Sequence, residues 1–189
     1  YGGESLGEFI GREFPEEPLP KHGGVLAEVL SEARRRPIRV CLSWPPGHAK
    51  TTILSRGVAW WLKKFPADTC AYTTYSDARA YSKSRLIRAY ARMAGVPLDP
   101  QASGVAEWRT LQNGGLIAAG ARGGITGVRI PGLYLVDDPY KNRDEVRSEK
   151  IREAVWERFR EVAFTRLQGG SIIVLHTRWD EDDLIGRIV

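Results

Sequence analysis

The chain has 189 residues, 42% hydrophobic and 27% charged, which is typical of one large or two small globular domains with a real core. No apolar run is long enough to cross a bilayer, so we expect no membrane partner. The formal net charge of +5 is a modest basic excess, which suits a nucleic-acid partner without establishing one.

Two cysteines, Cys41 and Cys70, each lie in an apolar, strand-like run. This placement predicts buried, reduced thiols in a reducing compartment. The histidines are scattered, and neither a C-x-x-C nor an H-E-x-x-H motif occurs, which argues against a zinc site.

The first half of the chain predicts alternating helices and strands after an irregular start. Residues 1–22 are rich in glycine, glutamate and proline and predict an irregular lead-in, so the domain is expected to span 23–189. The predicted elements that follow are a helix at 24–35, a strand at 38–43, a helix at 50–64, a strand at 69–75 and a helix at 77–94. Residues 95–104, G-V-P-L-D-P-Q-A-S-G, are a loop by composition.

The second half continues the alternation. Two short strand-like segments within 107–120 flank Asn113-Gly114, a strong hairpin signal. A buried strand at 132–138 is followed by an amphipathic helix and a strand at 171–177; the helix has apolar Ile151, Val155, Phe159 and Val162. This order favours an α/β fold with a central, mostly parallel sheet and helices on both faces. In such sheets, ligands bind at the carboxyl ends of the strands.

A candidate phosphate-binding loop, W-P-P-G-H-A-K-T-T, occupies residues 44–52. The usual pattern is G-x-x-x-x-G-K-[ST]. Lys50 and Thr51 match its last two positions, but Trp44 and Ala49 stand in the two glycine positions. The preceding strand and following helix are where a phosphate loop requires them.

The loop can be interpreted in two ways. Phosphate binding needs a tight turn with inward-pointing N–H groups, followed by a helix N-terminus. Gly47 supplies one permissive residue, and Ala49 adds only a methyl group, so close backbone approach is feasible. Alternatively, Thr51 or Thr52 simply starts a helix and Lys50 is solvated.

A second motif favours the nucleotide interpretation. In L-Y-L-V-D-D, a buried strand runs into Asp137 and Asp138, the form of a magnesium-holding strand end in nucleotide hydrolases. Adjacent carboxylates there repel each other and are costly without a cation. The alternative is a turn that Asp137 caps.

Four segments together identify a family resemblance. They are PPGHAKTT, TTYSDARAYSKSRLIR, GGITGVRIPGLYLVDDPYKN and IIVLHTRWDEDDLIGRI, and in this order they resemble the ATPase domain of large terminase subunits of tailed phages or prophages. The resemblance extends from Phe9 to Val189. It implies a P-loop NTPase of the ASCE type that hydrolyses Mg-ATP to pump double-stranded DNA into a procapsid. The family's second, nuclease domain is expected to lie outside this chain.

The same resemblance implies partners and a location. It implies a homo-oligomeric ring that works with double-stranded DNA, the portal of the procapsid and a small terminase subunit. The corresponding location is the cytoplasm of the infected bacterial host. Mg²⁺ is the implied cofactor and ATP the substrate.

The resemblance also assigns site residues. The nucleotide-binding residues are Pro46, Gly47, His48, Ala49, Lys50, Thr51 and Thr52. Asp137 takes the magnesium-associated position together with Thr51. Asp138 stands where the family often has a catalytic glutamate; because it is shorter by one methylene, the attacking water must sit closer or the strand end must shift. Thr177 matches the coupling motif that senses the γ-phosphate, although a plain strand-end threonine is the alternative.

An arginine is expected to complete the site, because phosphoryl transfer gains from a cation that stabilises the transition state, often from a neighbouring subunit. The candidates are Arg122, Arg129 and Arg178. The resemblance favours Arg129. For each candidate, the alternative is an ordinary solvated arginine.

The helix at 77–94 is a candidate DNA contact. It carries Arg79, Lys83, Arg85, Arg88 and Arg92. Much of this charge is predicted to lie along one stripe, which would follow a phosphate backbone without reading bases. The alternative is the solvated face of a helix. Trp60, Trp61 and Trp156 fall in helical patterns and are predicted to be core residues.

The acidic tail of the last motif also has two interpretations. His176 with Asp180, Asp182 and Asp183 is compatible with a metal cluster, but the cap and first turn of a helix from about Asp180 explains the acids more simply. Two other functions stay open: a helicase-like P-loop translocase, which would share Lys50 and Asp137, and a non-hydrolysing DNA-binding scaffold with a decayed loop.

Overall fold

A seven-stranded sheet forms the centre of the protein in a computed structural model that describes residues 3–189. The strands are β1 (Arg39–Ser43), β2 (Thr69–Thr74), β3 (Leu98–Ser103), β4 (Glu107–Thr110), β5 (Gly115–Gly120), β6 (Leu133–Asp137) and β7 (Ser171–His176). The helices are α1 (Leu6–Glu13), α2 (Gly24–Ala33), α3 (Lys50–Lys64), α4 (Asp77–Met93), α5 (Arg143–Arg147), α6 (Glu149–Thr165) and α7 (Leu184–Ile188), with a 3₁₀ turn at Lys21–Gly23. None of these described helices is long and apolar enough to cross a membrane.

The order of the strands brings three functional segments together. The sheet runs β1-β7-β6-β2-β5-β4-β3, and the pairs from β1 through β5 are parallel. β7 lies between β1, which leads into residues 44–52, and β6, which ends at Asp137. Because these strands are parallel, their carboxyl ends meet at one edge of the sheet. The predicted α/β fold with a mostly parallel sheet is confirmed.

Helices cover both faces of this sheet. Leu133 and Leu135 of β6 enter a core that contains side chains of α1 to α4. Tyr134 and Val136 enter a second core that contains side chains of α6 and α7. Successive strand residues point to opposite faces, so burial on both sides explains the continuous apolar runs in the sequence.

The prediction of an irregular lead-in is wrong, because part of it is helix α1. Ser5 and Glu8 form a reciprocal capping box at its start. Leu6, Phe9 and Ile10 are fully buried in the same core as α2 and α3. The predicted boundary after residue 22 therefore does not separate a tail from a domain, since α1 shares the core of the domain.

Residues 95–104 are also more regular than predicted. They contain β3, which pairs antiparallel with β4 at the edge of the sheet, with a register shift between Leu98 and Ser103. Pro100 is tolerated because an edge strand has one side without ladder partners. The predicted hairpin at Asn113-Gly114 is confirmed, and Asn113 adopts a φ of 65° there.

The predictions for α3, the tryptophans and the cysteines agree with the structure, except for the burial of Cys41. α3 begins at Lys50 and ends at Lys64 as predicted, and Trp60 and Trp61 are buried. Trp156 packs against the second core. Both cysteines are free thiols; Cys70 is buried, but Cys41 is only half-buried because β1 is an edge strand.

Candidate nucleotide-binding site

Lys50 is the point at which the three strand ends meet. Its Nζ lies 3.1 Å from Asp138 Oδ1, after β6, and 3.1 Å from Thr177 Oγ1, after β7. It also lies 3.4 Å from the Trp44 carbonyl oxygen, after β1. Residues separated by up to 133 positions in the chain thus contact one ammonium group.

The burial of Lys50 excludes a solvated surface lysine. Only 6% of the residue is exposed, although it is the first residue of α3. A buried ammonium needs a counterion and hydrogen-bond acceptors. The carboxylate of Asp138 and the oxygens of Thr177 and Trp44 provide them.

Asp137 is a buried carboxylate with one satisfied oxygen. Its Oδ2 accepts hydrogen bonds from Thr51 Oγ1 at 2.6 Å and from the Tyr72 hydroxyl at 2.5 Å. Its Oδ1 is buried and has no partner among residues 3–189. Burial raises the pKa of Asp137, while the hydroxyls of Thr51 and Tyr72 lower it.

These residues fit a magnesium ion. Mg²⁺ prefers oxygen ligands and is usually bound through one or two carboxylates together with substrate phosphates. Asp137 and the Thr51 hydroxyl are such groups, and the unpartnered Oδ1 is the oxygen that a cation would satisfy. The predicted metal residues, Thr51 and Asp137, are thus in hydrogen-bond contact with each other.

The loop adopts the left-handed conformation at Gly47 and Ala49. Their φ angles are 77° and 57°. An L-residue in this region costs roughly 1–2 kcal/mol relative to the right-handed helical conformation. For Ala49, alanine therefore carries the energetic cost of a left-handed backbone in addition to the space that its methyl group takes. α3 follows without a side-chain cap, so its first N–H groups are open to an anion.

Two histidines brace this loop. His48 Nδ1–H donates to the Pro46 carbonyl at 2.8 Å, and His22 Nε2–H donates to the His48 carbonyl at 3.1 Å. The His22 ring also packs edge-on against Trp44, with 5.7 Å between centroids. Sequence reasoning missed His22, because nothing in the sequence of the lead-in indicated a contact with the loop.

Asp138 leaves β6 in an unusual conformation. Its φ is 47°, a region that aspartate tolerates better than most residues. Its N–H donates to the Leu175 carbonyl at 3.0 Å, and its carbonyl accepts from the Tyr75 N–H at 3.1 Å. The carboxylate also accepts from the Thr177 N–H at 3.2 Å. Backbone contacts to both neighbouring strand ends therefore hold this short acidic side chain beside Lys50.

The three candidate arginines lie in different places. Arg178 Nε donates to Asp183 Oδ2 at 2.8 Å, and Arg122 lies 3.6 Å from Glu145. Arg129 is exposed and has no salt-bridge partner within the described chain. It precedes the start of β6, at the end of the sheet opposite Asp137, so it does not reach the site of its own chain.

Three of the five basic residues of α4 lie in one row, as predicted for much of this charge, and the other two lie in a separate row. Helical spacing puts Arg79 and Lys83 in one row and Arg85, Arg88 and Arg92 in another, on a different side of the helix. The row of Arg79 and Lys83 lies near the nucleotide site: burial and Arg79 lower the pKa of Lys83, and Asp137 raises it. In the other row, Arg88 donates to the Ser103 carbonyl beside β3.

The acidic tail forms ion pairs instead of a metal cluster. Asp182 contacts Arg152 and Arg187, whose hydrogen bonds lower its pKa to about 2. Asp183 caps α7, which begins at Leu184 and not near Asp180. Within residues 3–189, no group of three or more His, Cys, Asp and Glu is arranged to hold a metal ion.

Comparison with known proteins supports the fold. No protein-family model and no curated protein matches the sequence. Among solved structures, the chain is similar to the crystal structure of the HK97 bacteriophage large terminase, with a TM-score of 0.66 and 17% identity. The match covers 96% of this chain and 39% of the length of that protein. At this identity the similarity establishes the fold alone: an α/β fold like that of a large terminase, with a mostly parallel sheet in which β7 lies between β1 and β6.

Proposed function

We propose that this domain is the ATPase motor of a viral DNA-packaging terminase, which hydrolyses Mg-ATP to move double-stranded DNA into a procapsid. The observation that carries the proposal is the convergence of Asp138 and Thr177 on buried Lys50, beside the contact between Thr51 and Asp137. The terminase-like fold supports it.

In this proposal, Lys50 exchanges one anion for another. Its ammonium is neutralised by Asp138 in the structure, at 3.1 Å. When ATP binds, Lys50 and the N–H groups of residues 46–52 hold the phosphates, and α3 adds its positive N-terminal end. Thr51 and Asp137 hold Mg²⁺, which neutralises developing charge on the phosphates when bound.

Release from Lys50 leaves the Asp138 carboxylate available for catalysis. Asp138 then orients the attacking water and accepts its proton. The water oxygen bonds to the γ-phosphorus as the bond from that phosphorus to the β–γ bridging oxygen breaks, so that ADP and phosphate are the products. Thr177, whose Oγ1 contacts Lys50 Nζ and the Trp44 carbonyl, responds to the loss of the γ-phosphate. Because Thr177 leads into residues that precede α7, it relays the change to the C-terminal part of the domain.

A neighbouring subunit completes the site in this proposal. Arg129 is exposed and far from its own phosphate loop, which suits a residue that acts on the next subunit of a ring. DNA, the portal and a small terminase subunit are the proposed partners, and the cytoplasm of the bacterial host is the proposed location. The cations of α4 are the proposed DNA contacts.

Mixed-subunit kinetics test the proposal. Hydrolysis by the wild type should rise with protein concentration and with added double-stranded DNA. Lys50→Ala and Arg129→Ala should each be inactive alone, but a mixture should regain activity, because one variant supplies an intact loop and the other supplies the arginine. Arg147→Ala, which removes an exposed arginine 3.9 Å from Asp144, is the control.

Three outcomes would redirect the proposal. Strand separation by the active protein would favour the helicase-like translocase. No hydrolysis at any concentration, with DNA binding unaffected by Lys50→Ala, would favour the DNA-binding scaffold. Full activity of Arg129→Ala would move the arginine elsewhere.

A further inference from the structure

Tyr72 contributes a contact that the site residues predicted from the sequence do not include. It lies in β2, next to β6 in the sheet, and pairs with Leu135, two residues before Asp137. The residue is 1% exposed, and its hydroxyl donates to Asp137 Oδ2 at 2.5 Å. A side chain from a different strand therefore holds the carboxylate at the end of β6.

The two oxygens of Asp137 are in different situations. Thr51 and Tyr72 both donate to Oδ2, while Oδ1 has no partner in the described part of the chain. Two donors on one oxygen fix the orientation of the carboxylate group. They leave the other oxygen open to a cation.

The two donors come from different elements. Thr51 belongs to the first turn of α3, directly after the phosphate loop, and its hydroxyl has an oxygen lone pair to offer a metal ion. Tyr72 belongs to the fully buried strand β2. Tyr72 therefore holds Asp137 from the sheet, whereas Thr51 holds it from the residue next to the phosphate loop.

We propose that Tyr72 is a positioning residue that orients Asp137 for the magnesium ion bound with the nucleotide. This inference rests on the proposed function of the site. Groups that hydrogen-bond to a metal ligand orient it, and their removal typically costs about 10- to 100-fold in metal affinity or activity.

A purely structural role would give a different result. The Tyr72 ring belongs to the core beneath α3, so replacing the residue also tests packing. Tyr134 is a matched control: it is buried in the adjacent strand β6, and its ring stacks on Phe159, with 6.0 Å between centroids. Tyr72→Phe and Tyr134→Phe each remove one buried hydroxyl, but only the first contacts Asp137.

The experiment titrates Mg²⁺ at a fixed concentration of a fluorescent ADP analogue. Tyr72→Phe should raise the Mg²⁺ concentration for half-maximal binding about 10- to 100-fold, and Tyr134→Phe should leave it unchanged. Affinity for the analogue in EDTA should be the same in both variants. Equal Mg²⁺ curves for the two variants would overturn the inference.

A double-mutant cycle separates positioning from packing. In an Asp137→Asn background, Tyr72→Phe should cause no further loss of Mg²⁺-dependent binding, because the carboxylate it orients is gone. An additive loss would assign the effect to packing and overturn the inference. If the wild type itself shows no Mg²⁺-dependent nucleotide binding, the proposed function fails; if only the variants agree with each other, the inference about Tyr72 fails alone.

Discussion

The sequence predicts functional charged residues in two regions, which differ in the structure in how far their side chains converge and are buried. At the carboxyl ends of β1, β6 and β7, Lys50, Asp137, Asp138 and Thr177 converge, and Lys50 and Asp137 are almost fully buried. Along α4, the cations divide into two rows and most of the side chains are exposed or half-exposed.

The difference follows from topology. Parallel strands bring their carboxyl ends to one edge, so charges at strand ends meet whatever their separation in the chain. Burial then makes each charge depend on its partners, since an isolated one is costly. A helix surface imposes no such convergence, so its charges need a partner from outside to acquire a function.

The largest effect is expected at the strand ends, from Asp138→Asn. Asparagine keeps the shape but cannot accept a proton, so hydrolysis should fall by about 10²- to 10⁴-fold. Nucleotide binding should persist, because phosphates replace Asp138 as the partner of Lys50. Single-turnover hydrolysis with a binding titration measures both. Asp144→Asn, at an exposed carboxylate, is the control, and unchanged turnover in Asp138→Asn would assign the base elsewhere.

A smaller effect is expected from Thr177→Val. The substitution removes a hydroxyl that contacts Lys50 Nζ at 3.1 Å and the Trp44 carbonyl at 3.0 Å. A hydrogen bond contributes about 1 kcal/mol, so steady-state turnover should fall about fivefold. Thr165→Val, at the exposed end of α6, should leave turnover unchanged. An equal response of the two variants would make Thr177 an ordinary strand-end residue.

Substitutions in the two rows of α4 should have different effects on DNA and nucleotide binding. Arg85→Ala, Arg88→Ala and Arg92→Ala together should weaken binding to all DNA sequences alike and reduce the slope of log K against log salt by about 0.9 per lost phosphate contact. Arg79→Ala with Lys83→Ala should also weaken nucleotide binding, because this row lies near Asp137. If DNA binding by both variants showed the salt dependence of the wild type, the cations of α4 would be ordinary solvated side chains.

The smallest effect concerns the loop backbone. Ala49→Gly removes the cost of a left-handed alanine, roughly 1–2 kcal/mol. It also increases the conformational entropy of the unfolded chain, which lowers the free energy of unfolding by about 0.4–1 kcal/mol. We expect a gain of roughly 0–1.6 kcal/mol in the free energy of unfolding, measured in urea, with nucleotide binding retained. A loss of stability would show that the methyl group of Ala49 makes contacts that matter more than its φ.

Local patterns predicted most of the sheet and the main site residues. β1, β2, β6 and β7 are mainly apolar runs of strand length. Asp137 ends β6, Asp138 follows it directly, and Lys50 follows β1 after the loop at 44–49. Helix α1 and strand β3 were missed because glycine and proline dominate their surroundings, while tertiary packing stabilises them.

Other contacts could not be predicted from one sequence. His22 donates to the His48 carbonyl from a segment with no recognisable sequence motif. Tyr72 donates to Asp137, but its sequence context is that of an ordinary strand residue. Helical spacing alone divides the α4 cations into two rows, but placing the Arg79 and Lys83 row near the nucleotide site required knowing which side of the helix faces that site.

Binding of Mg-ATP is the most direct test of the central claim, which is that a phosphate loop with alanine in a glycine position is functional. A fluorescent ATP analogue should be titrated with Mg²⁺ into the wild type, Lys50→Ala and Lys64→Ala, the last an exposed lysine at the other end of α3. Saturable binding by the wild type and Lys64→Ala, lost in Lys50→Ala, is the expected result. Equal binding, or none, in all three proteins would contradict the account.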